Sequence, residues 1–150
     1  MHEADLIDTE VREPVVKEQR RCVIVVNESL SAGKASNAAS VVALTIGQRH
    51  PDLVGAPLVS SDGHVHAGLI PIGIPILKAT ADQLAVLRRK SLEQCDVVDF
   101  PVQGQATTDY RAFLAAVNAV PDDALQYLAI GLVGTKKKVG NLVSGLALYA

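Results

Sequence analysis

Arg21-Cys22-Val23-Ile24-Val25-Val26-Asn27, running on into Glu28-Ser29-Leu30-Ser31-Ala32-Gly33-Lys34-Ala35-Ser36, decides the fold class. The first seven residues are apolar at both alternating sets of positions, as a strand covered on both faces requires. A short loop follows. Beyond it Ala35, Ala38, Ala39, Val42 and Ile46 fall at i, i+3, i+4, i+7 and i+11, which predicts a helix ending near Gly47. A buried strand that turns directly into an amphipathic helix is the opening unit of an α/β domain.

The rest of the chain repeats that alternation. Residues 57–61 and 64–67 flank Asp62-Gly63, a dipeptide that supplies the positive φ of a hairpin turn. Residues 72–78 form a second buried strand, in which Pro75 removes a ladder donor and so points to an edge or a bulge. Thr80 or Asp82 caps a helix reaching about Gln94, with Leu84, Leu87 and Leu92 turned inward. Residues 96–102 (DVVDFPV) give a third strand, and Gly104 marks the following turn. Asp109 caps a short helix whose Tyr110, Phe113, Leu114 and Val117 form one face packed on the sheet. Residues 126–133 are a fourth strand and residues 136–148 a last amphipathic helix or a helix followed by a strand ending. This order predicts a three-layer α/β/α sandwich around a mixed, mostly parallel four-stranded sheet.

Composition agrees with one core. The chain has 150 residues, room for a single domain. Its 49% hydrophobic content includes only 3% aromatic residues, so the core must be Val, Leu, Ile and Ala. A net charge of −2 and a pI near 6.0 argue against a surface that grips nucleic acid throughout and leave room for a local basic patch. Cys22 and Cys95 lack CxxC spacing and read as thiols, not as a disulfide. Residues 1–19 hold six acids and a thin apolar pattern and are expected to be a flexible acidic arm, with the domain covering residues 20–150. Neither a signal peptide nor an eighteen-residue apolar run is present, so a cytoplasmic protein without a membrane partner is expected.

Three groupings could carry chemistry. Gly33, Lys34, Ser36 and Asn37 lie at a helix N-terminus, where free N–H groups and a lysine attract a phosphate or carboxylate. A Walker A loop is not matched, because Glu28 and Ala35 stand where it needs Gly and Ser or Thr. His64 and His66 share one strand face, with His50 and Asp62 nearby in sequence, yet two histidines make no metal site and none is assigned. Lys136, Lys137 and Lys138 follow the fourth strand. In a parallel sheet they would stand beside Lys34 and complete an anion-binding lip.

Leu30-Ser31-Ala32-Gly33-Lys34-Ala35-Ser36-Asn37-Ala38-Ala39, directly after a hydrophobic strand, resembles the Leu-x-Met-Gly-Lys-Gly-Lys-x-Ala-Ala stretch of the type II peptidyl-tRNA hydrolases. Leu128-Ala129-Ile130-Gly131-Leu132 and Val143-Ser144-Gly145 are similar to that family's Leu-x-Ile-Gly-Pro strand and C-terminal Val-Thr-Gly. From Arg21 to Tyr149 the chain is more similar still to an uncharacterised bacterial family of unknown function grouped with those enzymes by fold. The resemblance implies a homodimer and, in the enzymes, hydrolysis of the ester joining a peptide to tRNA.

The departures bear on activity. Ser36 replaces the second lysine, and Ala43 stands where the enzymes carry a histidine. Their Asp-Ala-Gly-x-Thr segment corresponds to Val102-Gln103-Gly104-Gln105-Ala106, which lacks both the carboxylate and the hydroxyl unless Asp99, Thr107 or Thr108 substitutes. Ester hydrolysis needs an activated water and an oxyanion donor within hydrogen-bond reach. Lys34 is the candidate donor; Asp99 and Asp109 are the candidate bases, each equally readable as a strand-end carboxylate or a helix cap. The expectation is a protein binding a phosphate-bearing or other anionic ligand, tRNA included, through Gly33, Lys34, Ser36, Asn37, Gln103, Gly104 and residues 136–138, without a cofactor. The alternatives are a peptidyl-tRNA-type hydrolase and a non-catalytic dimeric interaction protein.

Overall fold

The computed structural model describes residues 19–150, so the expected arm, residues 1–18 above all, lies outside the described residues. Four strands build the main sheet: β1 (Arg20–Asn27), β4 (Ile76–Ala79), β5 (Asp96–Pro101) and β6 (Tyr127–Thr135), in the order β4-β1-β6-β5. A separate hairpin joins β2 (Leu58–Val59) to β3 (Val65–His66) across Asp62-Gly63, with Gly63 at φ 88°. The helices are α1 (Ala32–Arg49), α2 (Ala81–Ser91), α3 (Gln103–Ala106), α4 (Tyr110–Asn118) and α5 (Lys136–Leu142).

The alternation of β1 divides the core into two. Cys22, Ile24 and Val26 meet Ala35, Ala38, Val42 and Ile46 of α1, whereas Val23 and Val25 meet Leu84 and Leu87 of α2 and Val139 of α5. Both faces are thus covered, which gives the three expected layers and accounts for a strand that is apolar throughout. Each buried Val, Leu or Ile contributes about 1.5–3 kcal/mol relative to exposure, so these two sets supply most of the driving force.

The strand directions correct the expectation of mostly parallel pairing. β1 pairs in parallel with β4 only; β6 is inserted antiparallel between β1 and β5. β1, β4 and β5 therefore point one way and β6 the other. The physical reason lies between β5 and β6. A parallel return needs a helix packed across the sheet, but no residue of α4 is buried. Tyr110 is 72% and Leu114 54% exposed, so the expected packing of that helix face on the sheet is only partial, carried by Phe113 edge to face with Phe100 of β5.

Smaller corrections have equally local causes. The second strand begins at Ile76, not at residue 72, and sits at the edge as Pro75 suggested. Its outer side is covered: the Lys78 N–H donates to Ala147 O and the Tyr149 N–H to Ile76 O. The C-terminal residues are thereby extended and α5 stops at Leu142, so of the two expected endings the helix followed by an extended segment is the one formed. Gly104 lies inside α3 and not in a turn. Leu92, at the C-cap of α2, is 49% exposed and not turned inward.

Candidate functional site

The C-terminal ends of β1, β4 and β5 gather at one end of the sheet, and the loop after β1 is the most heavily tied of the segments there. Asn27 Oδ1 accepts from the Ser29 N–H at 2.9 Å and from Ser29 Oγ at 2.7 Å. The Glu28 N–H donates to Ala79 O at 2.9 Å, and Tyr149 donates its hydroxyl to Leu30 O. A side-chain turn, a neighbouring strand and the C-terminal segment together fix where α1 begins.

The first turn of α1 is open. Ser31 stands at the N-cap in extended conformation but its side chain makes no capping bond, and the turn holds no acidic residue. An α-helix leaves its first N–H groups without internal partners, and an 18-residue helix adds a positive field there. A side chain at Gly33 would meet nothing within 4 Å, so no other element packs against the turn at that position. Lys34, Ser36 and Asn37 are all exposed. Lys34 joins no ion pair among the described residues. Ser36 donates its hydroxyl to Ala32 O at 2.8 Å, which leaves it only acceptor capacity.

Gln103 and Gly104 reach the same end of the sheet from β5, and both are half-buried. The two differ in role. Gln103 Oε1 is buried without a hydrogen-bond partner among the described residues. Gly104 serves packing: a Cβ there would lie 2.1 Å from the ring of Phe100, which occupies the space.

The other candidates are not brought to this place. Asp99 pairs in register with Ile130 on the α2 side of the sheet, whereas α1 covers the opposite face. There Arg88 donates to it through Nε at 3.2 Å and reaches Asp122 through Nη1 at 2.7 Å, with the guanidinium 5.6 Å from the Tyr127 ring centre. Burial pushes the Asp99 carboxyl above the ordinary carboxylate range, and the Arg88 charge only partly offsets it. Asp109 caps α4, accepting from the Ala112 N–H at 2.8 Å. Neither carboxylate faces Lys34.

Lys136, Lys137 and Lys138 stand at the far end of the sheet. The antiparallel register pairs Val26 with Ala129 and Arg20 with Thr135, so the lysine run adjoins the start of β1 and Lys34 follows its end. Roughly 20 Å of strand, at about 3.3 Å per residue, separates them. The expected lip combining the two does not form, because β6 is antiparallel. The partners of Lys136 are instead Gln19, whose carbonyl accepts from the Lys136 N–H at 2.9 Å, and the neighbouring Arg20 and Arg21. In the sequence these arginines only open a strand; the signal for them is a basic pair at one strand end and a basic run after another, which meet only when the two strands are antiparallel.

His64 pairs with Asp62 at 3.0 Å on the exposed hairpin, and His50 is committed to Asp96 at 2.7 Å. Among the described residues no group of three or more His, Cys, Asp or Glu is placed to hold a metal. No described helix is long and apolar enough to cross a membrane.

One similar solved structure is a protein of unknown function from Agrobacterium tumefaciens strain C58, 17% identical, with a TM-score of 0.80 over 87% of this chain and 98% of that one. At that identity the likeness is one of fold. No curated protein matches the chain. The family model that does match spans residues 20–150, all but the first nineteen, and by that match the chain belongs to the family described as protein of unknown function, DUF2000.

Proposed function

We propose that this protein is a binding domain that holds a phosphate-bearing or other anionic ligand at the N-terminus of α1, with the amides of residues 32–34 and the Lys34 ammonium as its donors. The observation that carries this reading is the open first turn: no side-chain cap, no acid, and a lysine without an ion-pair partner among the described residues. The strand, tied loop and helix also stand in the context in which the type II peptidyl-tRNA hydrolase motif would occur.

Binding is favoured over ester hydrolysis because neither candidate base accompanies the lysine. Asp99 lies on the other face of the sheet and Asp109 is engaged as a cap. An oxyanion donor without a base within hydrogen-bond reach lacks half of the required machinery. In a titration with inorganic phosphate at low salt, the backbone amide resonances of residues 32–36 shift, and Lys34→Ala abolishes the shifts while changing stability by less than about 0.5 kcal/mol. A tRNA ligand would add a steep loss of affinity with salt, flattened by about one unit in Lys34→Ala. Shifts retained in Lys34→Ala, or no shifts in the wild type, would refute the site.

A second reading, a dimeric interaction protein, is favoured by one observation. α4 carries an apolar face formed by Tyr110, Phe113, Leu114 and Val117, none of which is buried. A chain that leaves Tyr110 and Leu114 of that face exposed is better explained by a second copy covering them.

A further inference from the structure

The far end of the sheet holds a cleft of about 400 Å³ lined by Gln19, Arg20, Arg21, Ile72, Gly73, Pro75 and Lys136. We propose that it binds a small phosphate ester, with the phosphate on Arg21 and Lys136 and the organic portion against Ile72 and Pro75. This site is separate from the α1 N-terminus and does not rest on it.

Charge is the first argument. Arg20, Arg21, Lys136, Lys137 and Lys138 converge on this end through the antiparallel register. Only Arg20 is neutralised among the described residues, by Asp52 at 2.6 Å. Like charges brought together without counter-charges repel, and an anion that binds among them relieves the repulsion.

Placement is the second. Arg21 is half-buried yet has no carboxylate partner among the described residues, so part of its side chain leaves water without a counter-charge there. Gly140 makes room for it: a Cβ at residue 140 would lie 3.3 Å from Arg21 Nη1. Lys136 lines the same cleft and is held there by its backbone bond to Gln19. The two cations thus project from ordered backbone, not from a loose loop. A planar guanidinium with a parallel pair of donors next to a point-charge ammonium suits a phosphate with several oxygens.

Shape is the third. The opposite wall is apolar, formed by Ile72 and Pro75, and Gly73 between them leaves open space where any side chain would stand. A cleft of this size falls in the range of small-molecule sites, in which apolar walls hold the body of a ligand and a few polar groups fix its orientation. Free phosphate would use the cations and leave the wall unused; a phosphate ester with a ring uses both.

The test is a titration of the full chain with adenosine monophosphate at low salt, read by amide chemical shifts. Shifts are expected at residues 20–22, 72–73 and 136–140, weaker ones with inorganic phosphate and none with adenosine. Lys136→Ala, at an exposed position, and Arg21→Ala should each weaken this set by about tenfold, the worth of a charge-assisted contact. Arg21→Lys should recover only part of the loss, and Arg111→Ala, which removes one charge from α4, should bind as the wild type does. A well-dispersed spectrum of Lys136→Ala keeps the test valid if Arg21→Ala misfolds. No shifts at these residues, adenosine binding as well as its phosphate, or Lys136→Ala binding as well as the wild type would overturn the proposal. Shifts confined to residues 32–36 would also overturn it while leaving the α1 site intact.

Discussion

At Gly131 a Cβ would lie 2.5 Å from Val42 Cγ1 and 2.7 Å from Ile46 Cδ1, so the absence of a side chain is what lets α1 lie close against β6. Gly131→Ala should destabilise the fold by about 1–3 kcal/mol through overpacking, less up to about 1 kcal/mol regained from a stiffer unfolded chain. Urea unfolding would read this as a lower midpoint with an unchanged slope. Asp96 makes a different kind of contribution. It accepts from Arg49 Nη2 at 2.7 Å and Nε at 2.8 Å and contacts His50 at 2.7 Å, and these bonds, Arg49 first, hold its carboxyl down to about 2. Its folded-state value lies below its unfolded one, so the stabilisation is present above about pH 4, the ordinary carboxylate range, and is lost as pH falls through about 2. Asp96→Asn should therefore be less stable than wild type at neutral pH and equal to it below pH 2. A gap between the two that is independent of pH would mean that packing, not charge, is what Asn disturbs.

Among the elements, those most legible in the sequence are the ones whose neighbours lie close along the chain. β1 is apolar at both alternating sets because both faces are covered, and Thr80 caps α2 because Gln83 is three residues on: Thr80 Oγ1 accepts from the Gln83 N–H while Gln83 Oε1 accepts from the Thr80 N–H. Strand direction is not legible in the same way, since a buried run such as residues 127–133 carries no mark of which end leads. The connection from 102 to 126 contains a helix and so suggests a parallel crossover; only the exposure of Tyr110 and Leu114 shows that α4 never crosses the sheet. The site inherits this division. Lys34 is visible beside its strand and helix, whereas the bonds of Arg88 to Asp99 and Asp122 span 11 and 34 residues and the meeting of Arg21 with Lys136 depends on β6. Edge protection is another long-range feature, because residues 147–149 cover β4 through two backbone bonds. Removing residues 147–150 should cost about 1–3 kcal/mol, at roughly 0.5–1.5 kcal/mol per bond. It should also expose a pairing edge, so the truncated chain should show a lower urea midpoint and concentration-dependent aggregation; retention of both properties would mean that the cover is dispensable.

At the scale of the molecule, the sheet is enclosed on both faces, so the apolar residues left over are those the single core could not use. Some lie on the hairpin and on α2, and another set gathers on α1 and α4. Val41 is 40% and Leu44 80% exposed one turn apart on α1, and Tyr110 and Leu114 are 72% and 54% exposed one turn apart on α4. Val41 and Tyr110 line one groove of about 220 Å³ together with Phe100 and Phe113, whose rings meet edge to face at 6.3 Å. An aromatic pair gains its extra attraction only when its geometry is held, and here it is held on one side and open on the other. A two-fold axis through this groove would set α1 and α4 of one copy against those of the second, giving an isologous interface with an apolar centre. The protein should accordingly be a dimer by light scattering at micromolar concentration. Leu44→Lys and Leu114→Lys should together give a monomer, each placing an unpaired charge on the helix faces that the second copy covers, while a monomer that keeps its circular dichroism would show that the substitutions act on the interface and not on the core. Because neither residue is buried in the single chain, their exchange should cost the monomer little stability of its own. A monomeric mass for the wild type, or a dimer that survives both lysines, would place the partner of this face elsewhere.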